Sequence, residues 1–387
     1  MKNIVILATG GTIAGAGELG KNIGYKSGSI KAQTLIDAIP ELKNVANICV
    51  EQFCNINSDD ITSELWIALA RRIRELLQRE DVDGIVVMHG TDTMEETALF
   101  LSLTLGGSAS KVAGKSEDCS SVVENPAKPV IITGSMRPAT ASEPDGPANI
   151  LFAVKSAVDL CGRSAQESLD STFSSPPEMS SRTPCHPGLV PGRDHPLVNA
   201  KNATSSWSNA TGSGAVYVAF AGKLMNARSV QKIHANDLDA FAELSSRTSF
   251  RDYHLVNAKK SFDISNLHEL PRVTVLYFNA DADAELVRFA AERSAGLIIA
   301  GAGAGEFSRE WADAIADAVA EKNIPVVIST RINRGRIVPE QLLVPGTIAA
   351  YDLPPAKAAV LLRLALTVTN GSAEIQEMFE SSCTLSS

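Results

Sequence analysis

The sequence is short of cysteine, of positive charge and of long apolar runs, and each shortage removes a class of function. Its six cysteines (Cys49, Cys54, Cys119, Cys161, Cys185 and Cys383) are scattered without the spacing of a metal site or a disulfide framework. Cys49 and Cys54, five apart in an apolar stretch, are expected to be buried free thiols. Lys and Arg number 35 against 44 Asp and Glu, a net charge of −9, whereas phosphate binding needs a basic surface; nucleic acid is therefore not an expected partner. No apolar run approaches the ~20 residues of a membrane span. The chain enters an apolar strand after Lys2, with no room for a secretory h-region, so a soluble, cytoplasmic protein is expected. A Walker lysine followed by Ser or Thr is also missing.

What is present is ordinary in bulk and particular in arrangement. A hydrophobic fraction of 44% with 20% charged residues suits a globular protein, and 387 residues allow two cores. Ile4-Val5-Ile6-Leu7 reads as a strand buried on both faces, as in a parallel sheet. It breaks at Gly10-Gly11, which lifts the hydroxyl of Thr12 off the strand's carboxyl end. Strand and helix patterns then alternate. Ala46 to Phe53 reads as a strand, a helix opens at Thr62, Gly84 to His89 is a strand, and Thr93 with Glu96 forms a capping box. Pro129 to Thr133 is a strand, Ala148 to Leu160 a helix and Gly214 to Phe220 a strand. A second α/β run follows, with strands at 272–278, 296–300 and 324–329 and helices at 283–293, 308–321, 355–366 and 372–379.

The expected fold class is α/β: a doubly wound, mostly parallel sheet in a larger N-terminal domain and a smaller α/β C-terminal domain. The expected boundaries are 1–240, a linker over 241–270, and 271–387. Residues 106–128 and 161–213 break the rhythm and are expected to be insertions looping from the surface. Cys185-His186 has no supporting ligands nearby and reads as flexible linker; Asn202 and Asn209 each head an Asn-Ala-Thr sequon.

The chemistry concentrates in two turns. Gly10-Gly11-Thr12-Ile13-Ala14-Gly15 could be a nucleotide loop, but no helix follows directly, and Gly301-Ala302-Gly303-Ala304-Gly305 is a weak signal of the same kind. The alternative is a hydroxyl nucleophile. Threonine needs a base or a polarising partner, and backbone N–H groups to hold an oxyanion. The strand ending at His89 finishes similarly, in Gly90, a hydroxyl (Thr91) and a carboxylate (Asp92) beyond what capping needs. Two such turns at the carboxyl ends of parallel strands face one crevice. Lys232, after a further strand, is placed to neutralise Asp92.

Ala8-Thr9-Gly10-Gly11-Thr12-Ile13-Ala14-Gly15 and Met88-His89-Gly90-Thr91-Asp92-Thr93-Met94-Glu95-Glu96-Thr97 resemble the two signature motifs of bacterial-type L-asparaginases, including the glutaminase-asparaginases. Gly134-Ser135-Met136-Arg137-Pro138 and Asp145-Gly146-Pro147-Ala148-Asn149 resemble that family's next two blocks. The resemblance implies hydrolysis of the side-chain amide of L-asparagine, with L-glutamine as a second substrate and neither metal nor cofactor. It makes Thr12 the nucleophile, Tyr25 its partner on a lid, and Thr91, Asp92 and Lys232 a second triad. Ser58 binds the α-carboxylate, while Asp92 and Asp59 meet the α-amino group. Gly11 and Thr91 supply oxyanion N–H groups, and Gly90 and Ser135 complete the substrate contacts. Lys232 rests on Arg228-Ser229-Val230-Gln231-Lys232, which resembles a basic block of the family. Glu340 approximates an acid supplied by a neighbouring subunit, so a homo-oligomer, dimer or tetramer, is expected. Asp281 stands where the family often has asparagine. Three alternatives stand beside this reading: the amidase subunit of a tRNA-dependent amidotransferase, which usually carries an extra N-terminal domain; a non-enzymatic nucleotide or metabolite binder; and a decayed enzyme, against which intact Thr12, Thr91, Asp92 and Lys232 speak.

Overall fold

The computed structural model describes residues 1–21, 24, 26, 28–105, 128–161, 216–244 and 261–382. The two expected insertions lie outside these residues apart from Lys128 and Cys161, as do Cys185, both sequons and residues 245–260 of the expected linker.

The larger sheet takes β1 (Asn3–Gly10), β2 (Asn47–Ile56), β3 (Gly84–Met88), β4 (Val130–Thr133), β5 (Val216–Phe220) and β6 (Lys223–Asn226). Their order is β2-β1-β3-β4-β5-β6, parallel except for the antiparallel β5–β6 pair. The chain leaves β1 for one side and returns to the other, so the order reverses between β1 and β3. At such a switch point the connecting loops diverge and open a crevice at the strands' carboxyl ends.

Among the described residues, four helices cover this sheet: α1 (Ala32–Asp37), α2 (Ser63–Gln78), α3 (Met94–Leu105) and α4 (Gly146–Leu160). Alternate strand residues bury on opposite faces. Val5, Leu7, Ile85 and Val87 join Trp66, Ile73 and Leu99 of α2 and α3. Ile4, Ile6, Val86 and Met88 join Ile36, Ile150 and Val154 of α1 and α4. This is the double winding expected from uninterrupted apolar strands, and each large side chain so buried contributes about 1.5–3 kcal/mol. Thr62 caps α2, its hydroxyl accepting from Leu65 N at 3.3 Å.

The stretch after β5 is more ordered than its polar sequence suggests. Ala221 and Gly222, with φ of 47° and 74°, make the two-residue turn into β6. A small antiparallel pair, β7 (Val230–Lys232) and β8 (Phe241–Glu243), follows. The expected linker therefore begins as a strand, and Ile264 and Leu270 are buried in the same apolar cluster. Single apolar anchors carry no periodicity, which is why the segment reads as loose. Cys49 also departs from expectation: it is exposed, because β2 is the edge strand.

The smaller sheet runs β12-β11-β10-β9, all parallel, from β9 (Val273–Tyr277), β10 (Gly296–Gly301), β11 (Val326–Thr330) and β12 (Ile348–Ala349). It carries α5 (Glu285–Ala291), α6 (Arg309–Ala320), α7 (Pro355–Ala365) and α8 (Ser372–Ser381). Strands follow one another here in chain order, so this sheet has no reversal of the kind that opens the crevice in the first. Among the described residues no helix is long and apolar enough to cross a membrane.

Asn149 on α4 fastens the loops beyond β4 and β5. Its Nδ2 donates to Gly134 O (3.0 Å) and Asp145 Oδ2 (3.2 Å), and its Oδ1 accepts from Ala221 N (3.0 Å). Asn149→Ala is expected to cost about 2 kcal/mol by stranding these groups. The check is a lower urea midpoint with an unchanged denaturant slope.

Candidate active site

β1 and β3 end side by side, and two glycines let their turns touch. The register of β1 against β2 slips between Ala8, paired with Gln52, and Gly10, paired with Ile56; the irregularity re-aims the strand end. Gly11 then takes φ +80°, and a Cβ on it would lie 2.6 Å from Gly90 Cα. A Cβ on Gly90 would in turn lie 2.6 Å from Ser58 Oγ. Only glycine permits both approaches. They bring Thr12 and Ser58, from the ends of β1 and β2, and Gly90 and Asp92, from the end of β3, around one cleft of about 260 Å³; Thr91, between those last two, is buried and is not itself in the lining. Gly11, Thr12, Asn57, Ser58, Asp59, Gly90 and Asp92 line it. Such a volume is below the ~300–1,000 Å³ of drug-sized pockets and suits a small polar metabolite.

Lys232, the last residue of β7, reaches the cleft from the side. Its Nζ donates to Thr91 Oγ1 at 3.0 Å and to Asp92 Oδ1 at 2.6 Å. Thr91 is buried, whereas the Asp92 side chain keeps 68% of its exposure against 16% for Lys232. An ion pair open to water at one end contributes only ~0–1 kcal/mol. Its value is geometric: an ammonium held on a hydroxyl, and a carboxylate left facing the cleft.

The turn carrying Thr91 is fixed from behind. His89 is fully buried, with Nδ1 2.7 Å from Gly90 O and Nε2 3.1 Å from Thr97 Oγ1. A carbonyl can only accept, so Nδ1 bears the proton; with the ring neutral, Nε2 accepts from the Thr97 hydroxyl. Thr97 in turn accepts from Trp66 Nε1 at 2.9 Å. Burial favours the neutral imidazole and holds its pKa below the usual histidine value, while the Gly90 contact opposes the shift. Thr93, expected to cap α3, sends its hydroxyl to Ser58 O at 2.8 Å and so ties the β2 turn to the β3 turn.

Several expected residues stand differently. The Gly11 N–H donates to Ile56 O at 2.9 Å, so it is not an oxyanion donor; closing the turn onto β2 uses it. Ser135 is fully buried, its hydroxyl donates to Arg137 O at 2.8 Å, and it is absent from the cleft lining. Glu340 is exposed in the turn Pro339–Gln341, in the part of the chain that carries the smaller sheet. Asp281 has φ 60°, a left-handed conformation that Asp and Asn both tolerate. Tyr25 lies outside the described residues. Among the described residues, Ala16 and Lys26 exchange backbone hydrogen bonds of 3.0 and 2.9 Å, and Gly28 N donates to Gly11 O at 3.2 Å, which sets Gly28 against the first turn.

Sequence reasoning missed Asn57 in the lining, although the chain at the carboxyl end of β2 was its cue. It also left His89 without a role and passed over Glu95, whose Oε2 accepts from Lys232 N at 2.5 Å. Burial pushes the thiol of Cys54, close to the same strand ends, up to about 11, away from the thiolate form. Among the described residues no group of three or more His, Cys, Asp or Glu is arranged to hold a metal.

The fold and site define a class: a doubly wound α/β protein with hydroxyl, carboxylate and lysine groups gathered at the switch point over a small polar cleft. The chain belongs to the asparaginase family. The model for the N-terminal asparaginase domain matches residues 3–113 and 119–166, and that for the glutaminase/asparaginase C-terminal domain matches 272–379. L-asparaginase 2 of Bacillus subtilis is 34% identical over 98% of this chain and 86% of that protein. The glutaminase-asparaginase of Pseudomonas fluorescens biotype A is 32% identical over 98% of this chain and 90% of its own. The structure of a probable cytoplasmic L-asparaginase from Campylobacter jejuni, 31% identical, superposes with a TM-score of 0.72 over 98% of this chain and 100% of that one.

The buried neutral His89 makes stability depend on pH with a definite sign. Its folded pKa is lowered, so below the free value of 6.5 the unfolded chain binds a proton that the folded protein refuses. Stability contributed by keeping this ring neutral is full above that value and is lost as pH falls toward the lowered one. His89→Gln removes the titration, so the gap in urea midpoint between wild type and variant should narrow from about pH 7.5 to about pH 5.5. A gap that widens on acidification contradicts the assignment.

Proposed function

We propose that the protein hydrolyses the side-chain amide of L-asparagine to L-aspartate and ammonia, and accepts L-glutamine as a second substrate. The observation that carries this is the Lys232 ammonium on both Thr91 Oγ1 and Asp92 Oδ1, next to Thr12 across the Gly11–Gly90 contact. An α-amino acid needs an anionic partner for its ammonium, a donor for its carboxylate, and a nucleophile at side-chain distance from both. Asp92 and Asp59 provide the first, Ser58 the second and Thr12 the third.

In this reading the Thr12 hydroxyl sits at the amide carbon. Lys232 donates to the Thr91 oxygen, which polarises that hydroxyl and directs its proton into the cleft. With Gly11 N–H occupied, we assign the oxyanion to the Thr91 N–H, whose own peptide carbonyl is held by His89. Overall the C–N bond breaks, a C–O bond forms, and ammonia leaves with a proton from the attacking hydroxyl. Water supplies the final oxygen, by hydrolysis of a Thr12 ester or by direct attack. The chemistry so drawn uses no metal or cofactor.

We also propose that exposed Glu340 completes the cleft of a neighbouring copy in a homo-oligomer, a dimer or tetramer. The Campylobacter jejuni neighbour is described as cytoplasmic, and the cytoplasm is the location we propose.

Ammonia release from asparagine and from glutamine, followed across substrate concentration, tests the reading. Thr12→Ala, Thr91→Val and Lys232→Met should each lower kcat by about 10²–10⁴-fold with the fold retained. Wild-type protein releasing no ammonia from either amide, or Thr12→Ala matching wild type, refutes it.

A further inference from the structure

The catalytic lysine sits on a strand of only three residues, and what holds that strand comes largely from the other half of the chain. Lys357, in the first turn of α7, is fully buried. Its ammonium donates to three backbone carbonyls: Ala227 O (2.9 Å), Arg228 O (2.9 Å) and Val230 O (2.5 Å). All three belong to the segment that leads into β7 and ends at Lys232. Three acceptors take all three ammonium protons, so the contact is saturated rather than incidental. On the far side, Glu95 at the start of α3 accepts the Lys232 N–H. Arg228 adds a second tie to the smaller sheet's half, pairing with Asp352 at 2.6 Å and donating to Ser382 O.

A buried ammonium is a costly way to join two apolar surfaces, and a packed hydrophobic side chain of similar length commonly does as well for stability. Here α3 and α7 already share one apolar cluster. Lys357 differs from such a residue in direction: its three donors fix where carbonyls point, and so the path of the strand. Burial pushes Lys357 down to about 7, with Arg228 adding to the shift and Glu95, Asp352 and Glu96 opposing it; the three carbonyl contacts are those of the protonated form, which alone has three N–H groups to give. Those are the charged groups around it, and they include the carboxylate that anchors Lys232.

We propose that Lys357 is a positioning residue for the reaction: by binding the carbonyls of 227, 228 and 230 it holds β7 so that Lys232 Nζ meets Thr91 and Asp92. The proposal rests on the reading of Lys232 as catalytic. It makes the site of the first sheet depend on one side chain of the second half of the chain.

The test is a double-mutant cycle on the full chain: wild type, Lys357→Met, Lys232→Met and the double variant, with rates normalised to the folded fraction from circular dichroism. In the wild-type background Lys357→Met should lower kcat about 10- to 100-fold with KM changed less than about threefold. In the Lys232→Met background it should change kcat by less than about twofold, because the clamp acts only through Lys232. The same loss in both backgrounds, or no loss in wild type, overturns the proposal and leaves the Lys232 reading intact. A Lys232→Met protein as active as wild type takes both down. Should Lys357→Met fail to fold, Lys357→Gln, which keeps two N–H donors without the charge, takes its place in the cycle under the same criteria.

Discussion

The contact between two backbones, Gly11 against Gly90, is the constraint on which the site depends. Parallel strands lie at a fixed spacing, and side chains on their terminal turns normally keep those turns apart. With neither residue carrying a Cβ, the ends of β1 and β3 close on each other at the one place where the strand order reverses. Thr12 then lines one small cleft together with Gly90 and Asp92, the two neighbours of Thr91, rather than standing on a separate loop. Ser58 is drawn in by the same economy of space, since it fills the volume that a side chain on residue 90 would need.

Holding such a turn takes support that is itself rigid. Behind Gly90 the support is a one-directional chain of hydrogen bonds from Trp66 through Thr97 and His89 to the Gly90 carbonyl, all of it buried. Beside Lys232 it is a pair of opposite charges, Glu95 on the strand's N–H and Lys357 on the carbonyls before it. The cleft side is left polar and open, as a site for a charged amino acid must be, and most of the support, the Trp66–Thr97–His89 chain and Lys357, is buried away from water. Buried hydrogen bonds and charges hold direction better than exposed ones because no solvent competes for them.

Much of this was legible in the sequence, for reasons that also explain the omissions. Ile4 to Leu7 and Gly84 to Met88 are apolar without alternation, a pattern that only a strand covered on both faces requires, and the Gly-Thr turns after them stand out against it. The hydroxyls of Thr12 and Thr91 and the carboxylate of Asp92 were visible for that reason. β6, β7 and β8 were not, because strands of three or four residues fall below any window in which a period can be recognised. The Gly11 N–H was assigned to an oxyanion because a sequence cannot reveal that the bulge in β1 turns it onto Ile56. Lys357 did leave a trace: with Val360, Leu361 and Leu364 it lies at the three-to-four spacing of the apolar face of α7. A lone lysine on such a face must find acceptors, but nothing in the chain says that they lie 130 residues away at Ala227.

The central claim is that one crevice between the β1 and β3 turns binds and cleaves the amide. It is tested most directly by a crystal structure of the protein with L-aspartate, the product of the proposed reaction. The account predicts aspartate in the cleft, with its ammonium on Asp92, its α-carboxylate at Ser58 and its side-chain carboxylate against Thr12. Aspartate bound elsewhere, or turned so that its side chain points away from Thr12, would contradict it.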